Sequence, residues 1–171
     1  MKQPIILIGL PGAGKSTVGR LLAEALDAEF EDVDVEIERR EGQQIAAIFS
    51  LRGEEAFRSL ERKEVLRALD GPPGVLSAGG GWAAEPANLD EVAGRALIVH
   101  LAVDPDEAAE RISGSAVRPL LAGDERGRLR ELADQRAPSY ARADVTVSTS
   151  GRTPDEVAAE VVQLARSRAG W

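Results

Sequence analysis

The run IILIGLPGAGKST, residues 5–17, leaves this chain few ways to begin folding. An apolar stretch suited to a buried strand passes directly into G-x-x-x-x-G-K-S at residues 9–16, and a helical pattern follows to Leu26. Strand, glycine-rich loop and helix in that order are the context in which this pattern holds phosphate. Gly9, Gly12 and Gly14 let the backbone curl so that its N–H groups converge on phosphate oxygens, which residues with a Cβ do only at a cost. The helix that follows adds its N-terminal dipole, Lys15 adds a point charge, and Ser16 offers a hydroxyl to Mg²⁺. The plain alternative is a tight strand-to-helix turn with a surface lysine. The coincidence of spacing and flanking pattern favours a nucleoside triphosphate site.

The same alternation continues along the chain. Strand-like runs fall at 4–8, 29–33, 74–77, 96–101 and 144–147, and helical patterns at 15–26, 34–41, 44–49, 53–69, 86–92, 105–112, 126–136 and 154–168. The last helix opens on Thr153, Pro154, Asp155 and Glu156, a capping box with proline at the first helical position. Alternating strands and helices predict an α/β fold with a parallel sheet covered on both faces, and ligands in such sheets sit at the carboxyl ends of the strands. Residues 113–125, SGSAVRPLLAGDE, read poorly as either element. Glycines near both ends, Pro119 and a central arginine suggest a mobile lid.

With 171 residues the chain suits one domain, residues 1–171, able to bury about 70% of its unfolded surface. Only 4% of residues are aromatic, so the core must be built from Val, Leu, Ile and Ala. No apolar run approaches the roughly 18 residues of a membrane span, and the first apolar stretch is too short for a signal peptide. The absence of cysteine excludes disulfides, thiolate metal sites and cysteine nucleophiles, and fits a reducing cytoplasm. A net charge of −8 argues against a broad nucleic-acid or anionic-membrane surface, but not against small anions held by a few arginines. The one histidine, His100, lies in an apolar stretch and reads as a core or strand-end residue rather than a base.

Further constellations extend the chemistry. In EFEDVD, Asp32 and Asp34 stand two apart at the end of the second expected strand, so both carboxylates could project to the loop side of the sheet. One could hold Mg²⁺ near the phosphates and the other accept a proton from an acceptor hydroxyl. The alternative makes Asp34 only the N-cap of the next helix, and the two roles can coexist. Arg58 and Glu61, three apart in EEAFRSLERKE, would hold the guanidinium in one orientation for a substrate anion, or form a surface pair worth about 0.3 kcal/mol. Gly79, Gly80 and Gly81 suggest either a substrate lying against bare backbone or a tight turn. Arg118 in the expected lid and Arg136 in DQRAPSY complete the set. A lid arginine would bring positive charge to a phosphoryl-transfer transition state, though Arg126, Arg128, Arg130 and Arg142 are neighbouring competitors.

The segments GLPGAGKSTVGRLLA, EDVDVEIERREG, IAAIF with GEEAFRSLE, GGG, RPLL and QRAPSY together resemble the shikimate kinase family, in its order and near its spacing, over essentially the whole chain. The resemblance implies the P-loop kinase fold: a five-stranded parallel sheet flanked by helices on both faces, with a lid at about 113–125 and a substrate-binding region at about 34–61. It implies ATP-dependent phosphorylation of the 3-hydroxyl of shikimate, a step toward chorismate and the aromatic amino acids, by a cytoplasmic monomer without nucleic-acid or membrane partners. Gly12, Ala13, Gly14, Lys15, Ser16 and Thr17 would hold the ATP phosphates, with Ser16 and Asp32 serving Mg²⁺. Asp34 would bind the ring hydroxyls and act as base. Arg58 and Arg136 would clamp the substrate carboxylate, while Gly80 and Gly81 present backbone to the ring and Phe49 and Phe57 line the pocket. Arg118 would close over the transferring phosphate, and Arg111 and Pro154 would flank the adenine. Trp82 departs from the small residue expected after the glycines, implying a narrowed or roofed substrate side. The rival readings are a gluconate or nucleoside monophosphate kinase on the same fold, and a nucleotide switch without transfer chemistry, against which no N-K-x-D signature is found.

Overall fold

The computed structural model describes residues 1–114 and 124–171. Five parallel strands, β1 (Ile5–Ile8), β2 (Phe30–Asp32), β3 (Val75–Ser77), β4 (Leu97–Ala102) and β5 (Val145–Ser148), form one sheet in the order β2-β3-β1-β4-β5. The central strand β1 pairs Ile5 with Val75 on one side and with Leu97 on the other. Every residue of β1 is buried, because helices cover both faces of the sheet and an alternating polar residue would find no water. Its side chains divide by period two. Ile5 and Leu7 join α1 (Lys15–Leu26) and α8 (Pro154–Arg168) in one core, whereas Ile6 and Ile8 join residues from α2 (Val33–Glu41), α3 (Ile45–Leu69) and α5 (Pro86–Val92) in the other. The remaining helices are α4 (Gly80–Ala84), α6 (Pro105–Ser113) and α7 (Glu125–Tyr140). No helix among the described residues is long and apolar enough to cross a membrane. The capping box of α8 forms as expected, with Thr153 and Glu156 bonded reciprocally.

Four elements differ from their sequence patterns. The second strand ends at Asp32, and Val33 is already helical, so Asp32 and Asp34 do not share a strand. Asp32, not Asp34, is the N-cap: its Oδ1 accepts from Asp34 N at 3.1 Å and Val35 N at 3.5 Å. The two helical patterns at 44–49 and 53–69 run end to end as α3, broken only at Gly53, whose φ of 82° and ψ of 170° a residue with a Cβ would resist. Helix α7 continues past Arg136 through Pro138 to Tyr140. Finally, the glycine run opens a short helix, α4, with Gly79 as its N-cap.

Helix α4 forms against glycine's poor helical propensity because its far side is pure core. Trp82 is 1% exposed and packs with Ile6, Ile8 and Phe57 in the second core, and Ala83 is wholly buried. Trp82 therefore does not roof the substrate side; the indole is a structural anchor for the turn. Trp82→Ala is expected to cost about 3–5 kcal/mol of unfolding free energy. A urea titration showing an unchanged midpoint would contradict that placement.

Candidate active site

The loop between β1 and α1 adopts the conformation its glycines foreshadow. Gly12 has φ of 81° and packs so closely on α6 that a Cβ there would come within 2.7 Å of the Ala108 carbonyl oxygen. Gly14 caps α1 without a side-chain hydrogen bond, which leaves the opening N–H groups of the helix for another acceptor. Lys15 Nζ donates to the carbonyls of Gly9, at 2.8 Å, and Leu10, at 3.0 Å, folding the loop over its own side chain. Burial, with the Arg136 charge assisting, brings the Lys15 ammonium down to about 8.

A cavity of about 580 Å³ opens at the carboxyl edge of the sheet, lined by the loop from Pro11 through Val18 together with Asp32, Asp34, Gly80, Arg111 and Pro154. Ser16 Oγ donates to Asp32 Oδ2 at 2.8 Å, so the first turn of α1 and the end of β2 share one oxygen cluster. These are hard oxygen donors of the kind Mg²⁺ takes, and Asp32 is oriented by the backbone N–H groups it caps. Asp34 lies in the first turn of α2, and its Oδ1 is buried with no hydrogen-bond partner among the described residues. Burial, and the neighbouring Asp32 charge, push its carboxyl above the ordinary range.

Arg58 is braced more firmly than a surface pair would be. It meets Glu61 at 2.5 Å, and Glu61 is 1% exposed. Burial pushes the Glu61 carboxyl upward while Arg58 pulls it back. Phe49 and Phe57, with ring centroids 4.7 Å apart, lie against the same guanidinium, 6.0 and 5.5 Å from its carbon. The glycine run explains itself here. A Cβ on Gly81 would overlap the Arg58 guanidinium, one on Gly80 would come within 2.5 Å of Arg136 Nη1, and one on Gly79 would overlap the Glu61 carboxylate. None of the three has positive φ, so the run supplies space rather than unusual dihedrals. The two arginines, 78 positions apart in the chain, are brought to neighbouring residues of α4. Neither lines the cavity directly, and Arg136 Nη1 is buried without a partner among the described residues.

Arg111 and Pro154 line the same cavity on the side of α6 and α8. Thr149 and Arg152, which the sequence pattern did not single out, line it as well. Their place in the turn after β5, at the carboxyl edge of a strand, is the signal that could have flagged them. Arg118 and most of the expected lid, residues 115–123, lie outside the described residues. His100 stacks on Tyr140 with centroids 4.4 Å apart, and burial, with the Lys15 charge, lowers it to about 4, in keeping with a packed residue rather than a base.

Comparison with known proteins bears on this geometry. A sequence model of the family described as shikimate kinase matches residues 11–166, a span that includes every candidate residue from Gly12 to Pro154. The chain belongs to the shikimate kinase family. It is 47% identical to the shikimate kinase of Thermobifida fusca over 166 residues, covering 96% of this chain and 95% of that one. Among solved structures, the shikimate kinase from Acinetobacter baumannii in complex with shikimate superposes with a TM-score of 0.87 at 35% identity, covering 98% of this chain and 94% of that one. A gluconokinase from Sinorhizobium meliloti superposes with a TM-score of 0.68 over 99% and 94% of the two chains, but at 19% identity, a likeness of fold alone. Family membership and the P-loop kinase fold agree with the resemblance carried by the motifs.

The lowered Lys15 has a pH consequence. Nucleotide phosphates favour its charged form, which predominates below about 8 and is lost above it. Affinity for nucleotide is expected to be highest below pH 8 and to fall by up to roughly tenfold per pH unit above it. Calorimetric titration across this range checks the sign; a flat profile would contradict it.

Proposed function

We propose that this chain transfers the γ-phosphoryl group of ATP to the 3-hydroxyl of shikimate, releasing shikimate 3-phosphate and ADP on the way to chorismate and the aromatic amino acids. The observation that carries the reading is the buried carboxylate oxygen of Asp34, without a partner among the described residues, in the cavity that the phosphate loop lines, in a chain of this family. The N–H groups of residues 12–17 and the Lys15 ammonium bind the β- and γ-phosphates. Ser16 and Asp32 would hold Mg²⁺, which would spread the charge of the transferring group. The 3-hydroxyl oxygen forms a bond to the γ-phosphorus as the bridging bond to ADP breaks, and its proton passes to Asp34. Burial suits Asp34 to that task, since a carboxylate held above its usual range is the better base.

Arg58 and Arg136 receive the substrate carboxylate, one braced by Glu61 and the other with a donor to spare. Gly80 and Gly81 keep the backbone bare on that side. Arg118, from the segment between α6 and α7, supplies positive charge to the transition state, and Arg111 and Pro154 flank the adenine. The enzyme contributes position and charge rather than covalent chemistry. We place it in the cytoplasm as a monomer acting on ATP and shikimate, in keeping with a cysteine-free chain of net charge −8.

ADP release measured with shikimate, gluconate and AMP as acceptors tests the reading: turnover with shikimate is expected, and its absence sinks the proposal. Asp34→Asn is expected to lower kcat by roughly 10²–10⁴ with ATP affinity retained, because proton acceptance is lost while the phosphate loop is untouched. Full activity in that variant would take Asp34 out of the mechanism. Arg58→Ala is expected to raise KM for shikimate by roughly tenfold or more, by loss of a charged hydrogen bond, with a smaller change in kcat. An unchanged KM would remove Arg58 from the clamp.

A further inference from the structure

Arg111 lines the cavity where the reading above puts the nucleotide base, and its terminal nitrogens are already engaged with protein. Nη1 donates to Gly12 O and Thr149 Oγ1, each at 3.2 Å, while Nη2 donates to Thr149 O at 2.8 Å and to Glu107 Oε1 at 2.6 Å. A planar guanidinium tied by its edges in this way keeps only its faces for a ligand. Glu107 itself does more than pair with Arg111 one turn along α6. Its carboxylate accepts from Gly151 N, at 3.1 Å to Oε1 and 3.2 Å to Oε2, and that N–H, with Arg111, holds it below the usual carboxylate range. Asp104 N donates to Ser150 Oγ at 2.8 Å, so α6 and its cap are laced to the turn after β5 at successive residues of that turn.

Charge at this end of the cavity differs from charge at the phosphate end. Arg111 is paired with Glu107, and Arg152, also on the cavity wall, is paired with Glu160 at 2.7 Å. Both cations are thereby paired on the cavity wall, whereas Lys15 at the other end donates to backbone carbonyls. An isolated i,i+4 pair on a helix surface would contribute little. Glu107 and Arg111 instead join three segments, α6, the phosphate loop and the turn at 149–151.

We propose, on the ATP-binding reading above, that Glu107 is the positioning residue of the base subsite. It holds Arg111 edge-on between the phosphate loop and the 149–151 turn, so that one guanidinium face meets a flat, uncharged heterocycle across from Pro154. Glu107 touches no substrate; it acts through Arg111 and through the Gly151 backbone.

The test compares Mg·ATP with inorganic tripolyphosphate, which engages the phosphate loop but has no base, as ligands of the full-length protein. Wild type is expected to bind ATP the more tightly. Glu107→Ala is expected to weaken ATP roughly tenfold, while tripolyphosphate changes by less than about twofold. Glu107→Gln, whose amide oxygen can still accept from Gly151 and Arg111, is expected to recover part of the loss. In steady-state assays KM for ATP should rise more than kcat falls. Unchanged ATP affinity in Glu107→Ala would overturn the proposal. So would an equal weakening of both ligands, which would mark a general collapse of the loop, or a wild type that binds both alike. Failure of the proposed reaction would look different: no shikimate-dependent ADP release from wild type, with the two-ligand binding pattern intact.

Discussion

One carboxylate joins the parts of this site. Asp32 accepts from the Ser16 hydroxyl with one oxygen and caps α2 with the other, so the start of α1, the end of β2 and the first turn of α2 move as a unit. Asp34 rides on that turn. Its place near the phosphate loop follows from the turn that Asp32 caps, and one of its oxygens is buried with no hydrogen-bond partner among the described residues. A half-satisfied carboxylate is costly in a fold, and such costs persist where a ligand repays them.

The acceptor side follows the same logic with the signs reversed. Arg58 leans on a carboxylate that is itself almost fully buried, and Arg136 brings to the same short helix a buried nitrogen with no partner among the described residues. The two guanidinia occupy space that a Cβ on Gly80 or Gly81 would take, and the Glu61 carboxylate occupies that of a Cβ on Gly79. Trp82, on the opposite side of α4, ties the glycine-rich turn to the core with an indole. Rigidity from packing thus stands in for the helical propensity that glycine lacks. On the α6 side of the cavity, Glu107 and Arg111 use paired charges to connect α6 with the phosphate loop and the last turn.

Much of this was legible in the linear pattern. The order of strands and helices follows from alternating apolar periods, and the phosphate loop from glycines and a lysine at fixed spacing. Local chemistry was harder to read at element boundaries. Asp32 and Asp34 look like strand neighbours until the helix is seen to begin at Val33, and a run of glycines reads as a loop because nothing local reveals that Trp82 packs behind it. Arg58 with Glu61 reads as a surface pair until Glu61 proves buried.

By itself, the sequence determined the parallel α/β architecture, the triphosphate loop and the inventory of charged residues, because periodicity and turn chemistry act over a few neighbouring positions. Tertiary structure decided which charges meet. Arg58, Glu61, the glycines at 79–81 and Arg136 converge because α3 and α7 both pack against α4, and Glu107 reaches Gly151 because α6 lies against the turn after β5. Such pairings depend on burial and on distances between residues far apart in the chain, and no local pattern encodes either.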